Sequence, residues 1–207
     1  MKIAVIFLIG SFLLYLTITQ IVDTVLLGTL RLKFSNRRSV SSYMVAEKNR
    51  IDLQTDFQCS AFACAYVLRH FGIDADGKSL YAAMPHKIKN GYVYPKGIRV
   101  LLQRHDIPVR YCRGNLSTLK QELQKGHPVI VMIRVRRDKG WLHYVPIVGY
   151  DEEYLYIAES LSELINCPGA SYNRKIPKTE FLQLWNTAMV KQPLYKNTYF
   201  AYTGKNL

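Results

Sequence analysis

The chain opens on an unbroken apolar run and then changes character. Residues Ile3 to Val22 carry no charge. As a helix, about twenty residues rising 1.5 Å each cover roughly 30 Å, the thickness of a hydrocarbon core. A run this continuous exceeds what a helix packed on a protein surface needs. Lys2 ahead of it also suits a secretory signal, but no small-x-small cleavage site follows, which favours an uncleaved anchor. Residues 34–49 are polar, with Ser35, Ser39, Ser41 and Ser42, and read as a tether. The pattern divides the chain into an anchor or uncleaved signal segment at 1–30, a tether at 31–50 and a domain at 51–207.

Inside the domain, short apolar runs alternate with polar breaks. Cys59 to Phe71 reads as a helix stopped by Gly72. Ser79–Ala83, Lys96–Arg104 and Thr118–Lys125 read as further helices, the last ended by Gly126. Val129–Val135 is rich in β-branched residues and predicts a buried strand. Val109–Cys112 predicts a short strand, and Tyr144–Tyr150 with Tyr154–Ala158 a hairpin. Thr179–Met189 predicts a helix with Phe181, Leu184, Trp185 and Ala188 on its core face; Tyr199–Tyr202 predicts a last strand. Helices first and antiparallel strands after give an α+β pattern.

Composition changes the picture in one respect. The formal charge is +13 and the isoelectric point near 9.6. The Lys and Arg are spread along the chain without a long basic run, so the charge suits an anionic bilayer or an acidic peptide better than nucleic acid. Arg31, Lys33, Arg37 and Arg38 follow the apolar run and only Lys2 precedes it, which by the positive-inside rule places the domain in the cytoplasm. Cys59, Cys64, Cys112 and Cys167 form no C-x-x-C pair, so neither a zinc site nor a cofactor is expected. A Cys112–Cys167 disulfide is conceivable.

Chemistry concentrates at three places. Cys59 follows Asp56 and Gln58 and opens the apolar helix, where unpaired amides and a partial positive charge favour a thiolate. His143 enters a predicted strand and suits the base that takes and returns a proton. Glu159, on the next strand, suits the group that holds the imidazole and its tautomer. Gln54, five positions before Cys59, suits the donor to an acyl oxyanion beside the Cys59 amide. Cys64 falls on the apolar stripe with Val67, Leu68 and Phe71 and reads as core. His70, His86, His105 and His127 read as structural, and Asn166 is a second candidate to orient the base.

These residues resemble the papain-like cysteine peptidases of the bacteriocin-processing type, which cut leader peptides after a double glycine, and their stand-alone relatives. The stretch Val67-Leu68-Arg69-His70-Phe71-Gly72 is similar to the family's ending of the nucleophile helix. His143 to Tyr150 is similar to its base-bearing strand. Gly97 to Leu102 and Leu119 to Val131 resemble its middle helices and central strand, and Asn173 to Trp185 its late segment. The resemblance covers roughly Ile51 to Tyr202. Three positions depart from it: Ser60 replaces a Gly, Glu159 an Asp, and Ser160 the Pro after that Asp. The resemblance implies a papain-like domain and a thioester intermediate on Cys59, with His143 as base, Glu159 as orienting group and Gln54 in the oxyanion hole. It implies a bacterial protein of the cell envelope facing outward, against the positive-inside reading. The expected substrate is a peptide or protein, and any transporter partner is a separate chain, because no G-x-x-x-x-G-K-[ST] motif is present. Two other functions use the same residues: a transglutaminase-like acyl transfer, and peptide binding by an inactive relative.

Overall fold

A computed structural model describes residues 2–22, 30–45, 48–138, 140–189 and 194–204. Burial in the first helix follows the sequence pattern. Helix α1 (Lys2–Val22) exposes nearly all its side chains and is long and apolar enough to be a candidate membrane span. Residues 23–29, read as the end of the anchor segment, lie outside the described residues.

The remainder is an eight-stranded sheet with helices on both faces. In chain order come β1 (Arg31–Leu32), β2 (Tyr43–Met44), α2 (Cys59–His70), α3 (Gly77–Ala82), α4 (Pro95–Arg104), β3 (Val109–Arg113) and α5 (Leu116–Leu123). Then follow β4 (Val129–Arg134), β5 (Leu142–Tyr150), β6 (Tyr154–Ile157), β7 (Arg174–Pro177), α6 (Lys178–Trp185) and β8 (Thr198–Tyr202). The strand order is β1-β3-β8-β4-β5-β6-β7, with β2 added on β5. All pairs are antiparallel except β1 with β3.

Strand β4 is apolar throughout because both its faces are covered. Ile130 and Met132 join the core under α2 and α4, with Tyr111, Tyr144 and Phe200. Val129, Val131 and Ile133 join the opposite core under α5 and α6, with Leu119, Phe181 and Trp185. Successive side chains of a strand point to opposite faces, so a central strand sandwiched this way loses its polar positions. Helix α2 is buried from Cys59 to Leu68, which is why its sequence is apolar all round and not striped. It ends where Gly72 takes a left-handed φ of 76°.

The segment read as a tether contributes β1 and β2. Tyr43 and Met44 pair with Tyr150 and Gly149. A side chain at Gly149 would meet the Tyr43 carbonyl and the Met44 sulfur at 2.7 Å, so only glycine admits β2 there. Asn115 and Gln121 hydrogen-bond Ser35, and Lys33 pairs with the buried Glu122 carboxylate. Cys112 is buried in β3, and all four cysteines are free, so no disulfide joins Cys112 to Cys167.

Candidate active site

Three elements meet at the N-terminus of α2. Cys59 is the first residue of that helix, and its amide is one of the donors a helix start leaves without an intrahelical acceptor. His143 is the second residue of β5, and Glu159 follows the end of β6; both are buried. Because β5 and β6 are neighbours, their side chains meet across sixteen positions of sequence: His143 Nε2 lies 2.7 Å from Glu159 Oε1. With Nε2 taken by Glu159, Nδ1 is the ring nitrogen left toward Cys59, whose side chain also acts on the charge of the imidazole.

Glu159 is held from several directions. Its Oε1 also accepts from the Leu161 amide at 2.9 Å, and its Oε2 accepts from Arg174 Nη1 at 2.9 Å. Asn173 grips the Glu159 backbone, accepting from its amide at 2.7 Å and donating to its carbonyl at 2.9 Å. The extra methylene of a glutamate thus lets one carboxylate serve the imidazole and a buried guanidinium together. Arg174 and Asn173 are the residues that sequence reasoning left without a role. One signal was present: Arg174 shares the buried parity of β7 with Ile176, and a core-facing arginine needs an anion.

The electrostatics follow from this arrangement. Burial lowers the His143 pKa, but the Glu159 charge, the hydrogen bond to Cys59 and that to Glu159 outweigh it and raise it from 6.5 to about 10. Burial raises the Glu159 pKa, but the His143 charge and hydrogen bond, Arg174 and the Leu161 amide bring it from 4.5 down to about 2. A base with a raised folded pKa stabilises fully below its unfolded value and loses that contribution as pH rises through the folded one. His143 therefore stabilises the fold fully below about pH 6.5, a contribution lost as pH rises through about 10. Glu159 contributes fully above 4.5, a contribution lost as pH falls through about 2. Urea midpoints of the wild type and His143→Ala should differ most near pH 6 and converge toward pH 10; parallel curves over that range would exclude the imidazolium–carboxylate pair.

Gln54 sits at the same cleft. Its Oε1 accepts from Ser160 Oγ at 2.7 Å, its Nε2 donates to the Asp56 carbonyl at 2.6 Å, and its amide donates to the Ser160 carbonyl at 2.9 Å. Arg69 steadies the approach to this loop, donating to Asn49, Asp52 and the Arg50 carbonyl. Two hollows adjoin the Cys59 sulfur. One, of roughly 210 Å³, is walled by apolar and aromatic groups including Val93, Met132, Leu142 and Tyr144. The other, of roughly 430 Å³, is more polar and includes Gln54, Asp56, His143 and Glu163. Ser60 Oγ, in the wall of the first, is buried with no hydrogen-bond partner.

The other candidates lie elsewhere. Asn166 pairs with the Lys175 backbone on an exposed loop and does not orient the imidazole. His70 and His127 contact each other within a cluster holding Phe71 and Tyr202. Cys64 is fully buried, and desolvation pushes its thiol pKa far up. No group of His, Cys, Asp or Glu among the described residues is arranged to hold a metal ion.

Comparison with known sequences identifies the family. The model of the Peptidase_C39-like family matches residues 46–192. The chain belongs to the Peptidase_C39-like family. The match includes Gln54, Cys59, His143, Glu159 and Arg174. A curated relative is the "Probable functional amyloid protease FapD" of Pseudomonas fluorescens, 25% identical over 142 residues, 67% of this chain and 57% of that protein. The chain thus spans little more than half the relative's length. The fold matches solved C39 domains. A C39-like peptidase from Bacillus anthracis superposes with a TM-score of 0.59 at 15% identity, over 80% of this chain and 99% of that one. The peptidase domain of Streptococcus ComA, a bi-functional ABC transporter, gives 0.58 at 16% identity over 76% and 99%. A double glycine motif protease from an AMS/PCAT transporter, in complex with the leader peptide, gives 0.52 at 14% identity over 77% and 93%.

Proposed function

We propose that this protein is a membrane-anchored cysteine peptidase of the bacterial cell envelope that hydrolyses a peptide bond through Cys59, His143 and Glu159. The observation that carries the reading is the buried His143–Glu159 pair at 2.7 Å, whose imidazole lines the same hollow as Cys59 at the start of α2. The Cys59 thiolate attacks the scissile carbonyl carbon. The oxyanion takes the Cys59 amide and the second N–H of Gln54 Nε2, since the first is used on Asp56. The His143 imidazolium gives its proton to the departing amine, leaving a thioester. Neutral His143 then takes a proton from water as that water attacks the thioester, and the acid is released with the thiolate restored.

The substrate is a peptide or protein. The apolar hollow beside Cys59 suits a branched or aromatic side chain next to the cleaved bond, since roughly 210 Å³ is about seven times the volume of one water. Helix α1 supplies the anchor.

Iodoacetamide treatment of the detergent-solubilised full chain should modify Cys59 first, with Cys64 protected by complete burial. Mass analysis of peptide products should show hydrolysis, unchanged by an added amine acceptor. Amine adducts would replace hydrolysis by acyl transfer, and first modification of Cys64 would displace the nucleophile.

A further inference from the structure

Glu159 and Ser160 are adjacent, and each holds a different half of the cleft. The first carries the imidazole; the second reaches the glutamine on the other side of the sulfur. We propose that Ser160 is a positioning residue of the oxyanion hole, its hydroxyl fixing the Gln54 amide so that Nε2 faces the cleft. The inference rests on Gln54 serving the oxyanion as proposed above.

A glutamine amide has two ends of similar shape and opposite character. At Gln54 two contacts choose between them. Nε2 lies 2.6 Å from the Asp56 carbonyl, a contact only a donor tolerates. Oε1 lies 2.7 Å from Ser160 Oγ, which donates to it. A flipped amide would set oxygen against oxygen at Asp56. Glutamine is also among the side chains with most rotamer freedom, so an unheld Gln54 would spend much of its time away from the reacting carbonyl. The Gln54 amide donates to the Ser160 carbonyl at 2.9 Å, so the two residues are joined through backbone as well as side chain. Ser160 is buried, and its hydroxyl is spent on this contact. A hydroxyl donating to the amide oxygen also polarises the amide and strengthens the remaining N–H toward a developing negative charge. A proline at 160, the residue of the resembled family, has no hydroxyl and offers none of this. Joining both halves to one dipeptide means that the base and the oxyanion donor keep their mutual register.

The test separates acylation, which passes through an oxyanion, from alkylation, which does not. The full chain in detergent is compared with Ser160→Ala, Gln54→Ala, Ser160→Thr and the Gln54→Ala/Ser160→Ala double variant. p-Nitrophenyl acetate measures acylation of Cys59, and iodoacetamide measures the reactivity of its thiolate. Ser160→Ala should slow acylation about tenfold and leave alkylation unchanged. Gln54→Ala should slow acylation on the order of a hundredfold. The double variant should be no slower than Gln54→Ala, and Ser160→Thr should restore the wild-type rate. Additive losses in the double variant, or a Ser160→Ala variant as fast as wild type, would overturn the positioning role while leaving Gln54 in place. A fall in alkylation that parallels acylation would assign the hydroxyl to support of the thiolate instead. A Gln54→Ala variant that acylates normally would overturn the oxyanion assignment and this inference with it, with the Cys59–His143–Glu159 reading untouched.

Discussion

Cys59→Ala should abolish peptide cleavage, with a loss on the order of 10⁵- to 10⁶-fold in kcat, and leave the fold intact. The two halves of that expectation have separate causes. Loss of the sulfur removes the nucleophile that His143 serves, and Ser60, whose buried hydroxyl has no hydrogen-bond partner, does not replace it. The fold survives because Cys59 stands at the start of α2 and opens on both hollows, so truncation enlarges a solvent-reached space and makes no closed cavity. The cost should be at most about 1 kcal/mol. Cys64→Ala gives the opposite outcome: its thiol is wholly enclosed between α2 and the sheet, so stability falls while cleavage persists. His143→Ala should match Cys59→Ala in activity, and the double variant should be no worse, since residues that act as one unit lose their effect together. Thermal melts beside cleavage assays check all four. Retained cleavage in Cys59→Ala would remove the nucleophile from the proposal.

Much of this architecture is legible in the sequence, where local pattern decides. Helix α2 is announced by its apolar run and Gly72, and β4 by β-branched residues buried on both faces. Helix α6 closes at Trp185, short of the predicted Met189, because Asn186 leaves helical geometry at its end. What pattern does not carry is pairing. Strands β1 and β2 are two residues each, and only their partners β3 and β5 make them strands. Residues 34–49 look like a tether because they are polar, yet Ser35 is bonded from α5 and Val45 is held by the Val148 carbonyl. A truncated chain meant to keep the sheet whole therefore starts near Leu30. The site divides the same way. Cys59, His143 and Glu159 are visible because each residue type has a known task at a helix start or strand end. Ser160 and Gln54 are 106 positions apart, and no spacing rule joins them. Arg174 looks like one more charge in a basic chain until β7 turns it inward to Glu159.

Glu159→Gln should lower kcat on the order of 10³- to 10⁴-fold and destabilise the fold by about 3–5 kcal/mol. The substitution keeps shape and removes one acceptor. The carboxylate now accepts from His143 and Leu161 on one oxygen and from Arg174 on the other. An amide has a single oxygen, so it must choose. The charged, buried Arg174 makes the stronger demand, which turns the amide N–H₂ toward His143. The imidazole must then accept at Nε2 and carry its proton on Nδ1, where it faces the sulfur and has no lone pair for the thiol proton. Both effects have one origin, and a second substitution separates them. In Glu159→Gln/Arg174→Met the guanidinium is gone, the amide oxygen is free to face His143 and Leu161, and the correct tautomer returns. That double variant should recover most of the lost stability and part of the lost activity. Urea unfolding and single-turnover acylation measure the two. Recovery of neither would mean that Arg174 does not compete for the Glu159 side chain, and an active Glu159→Gln would take the orienting role away from Glu159.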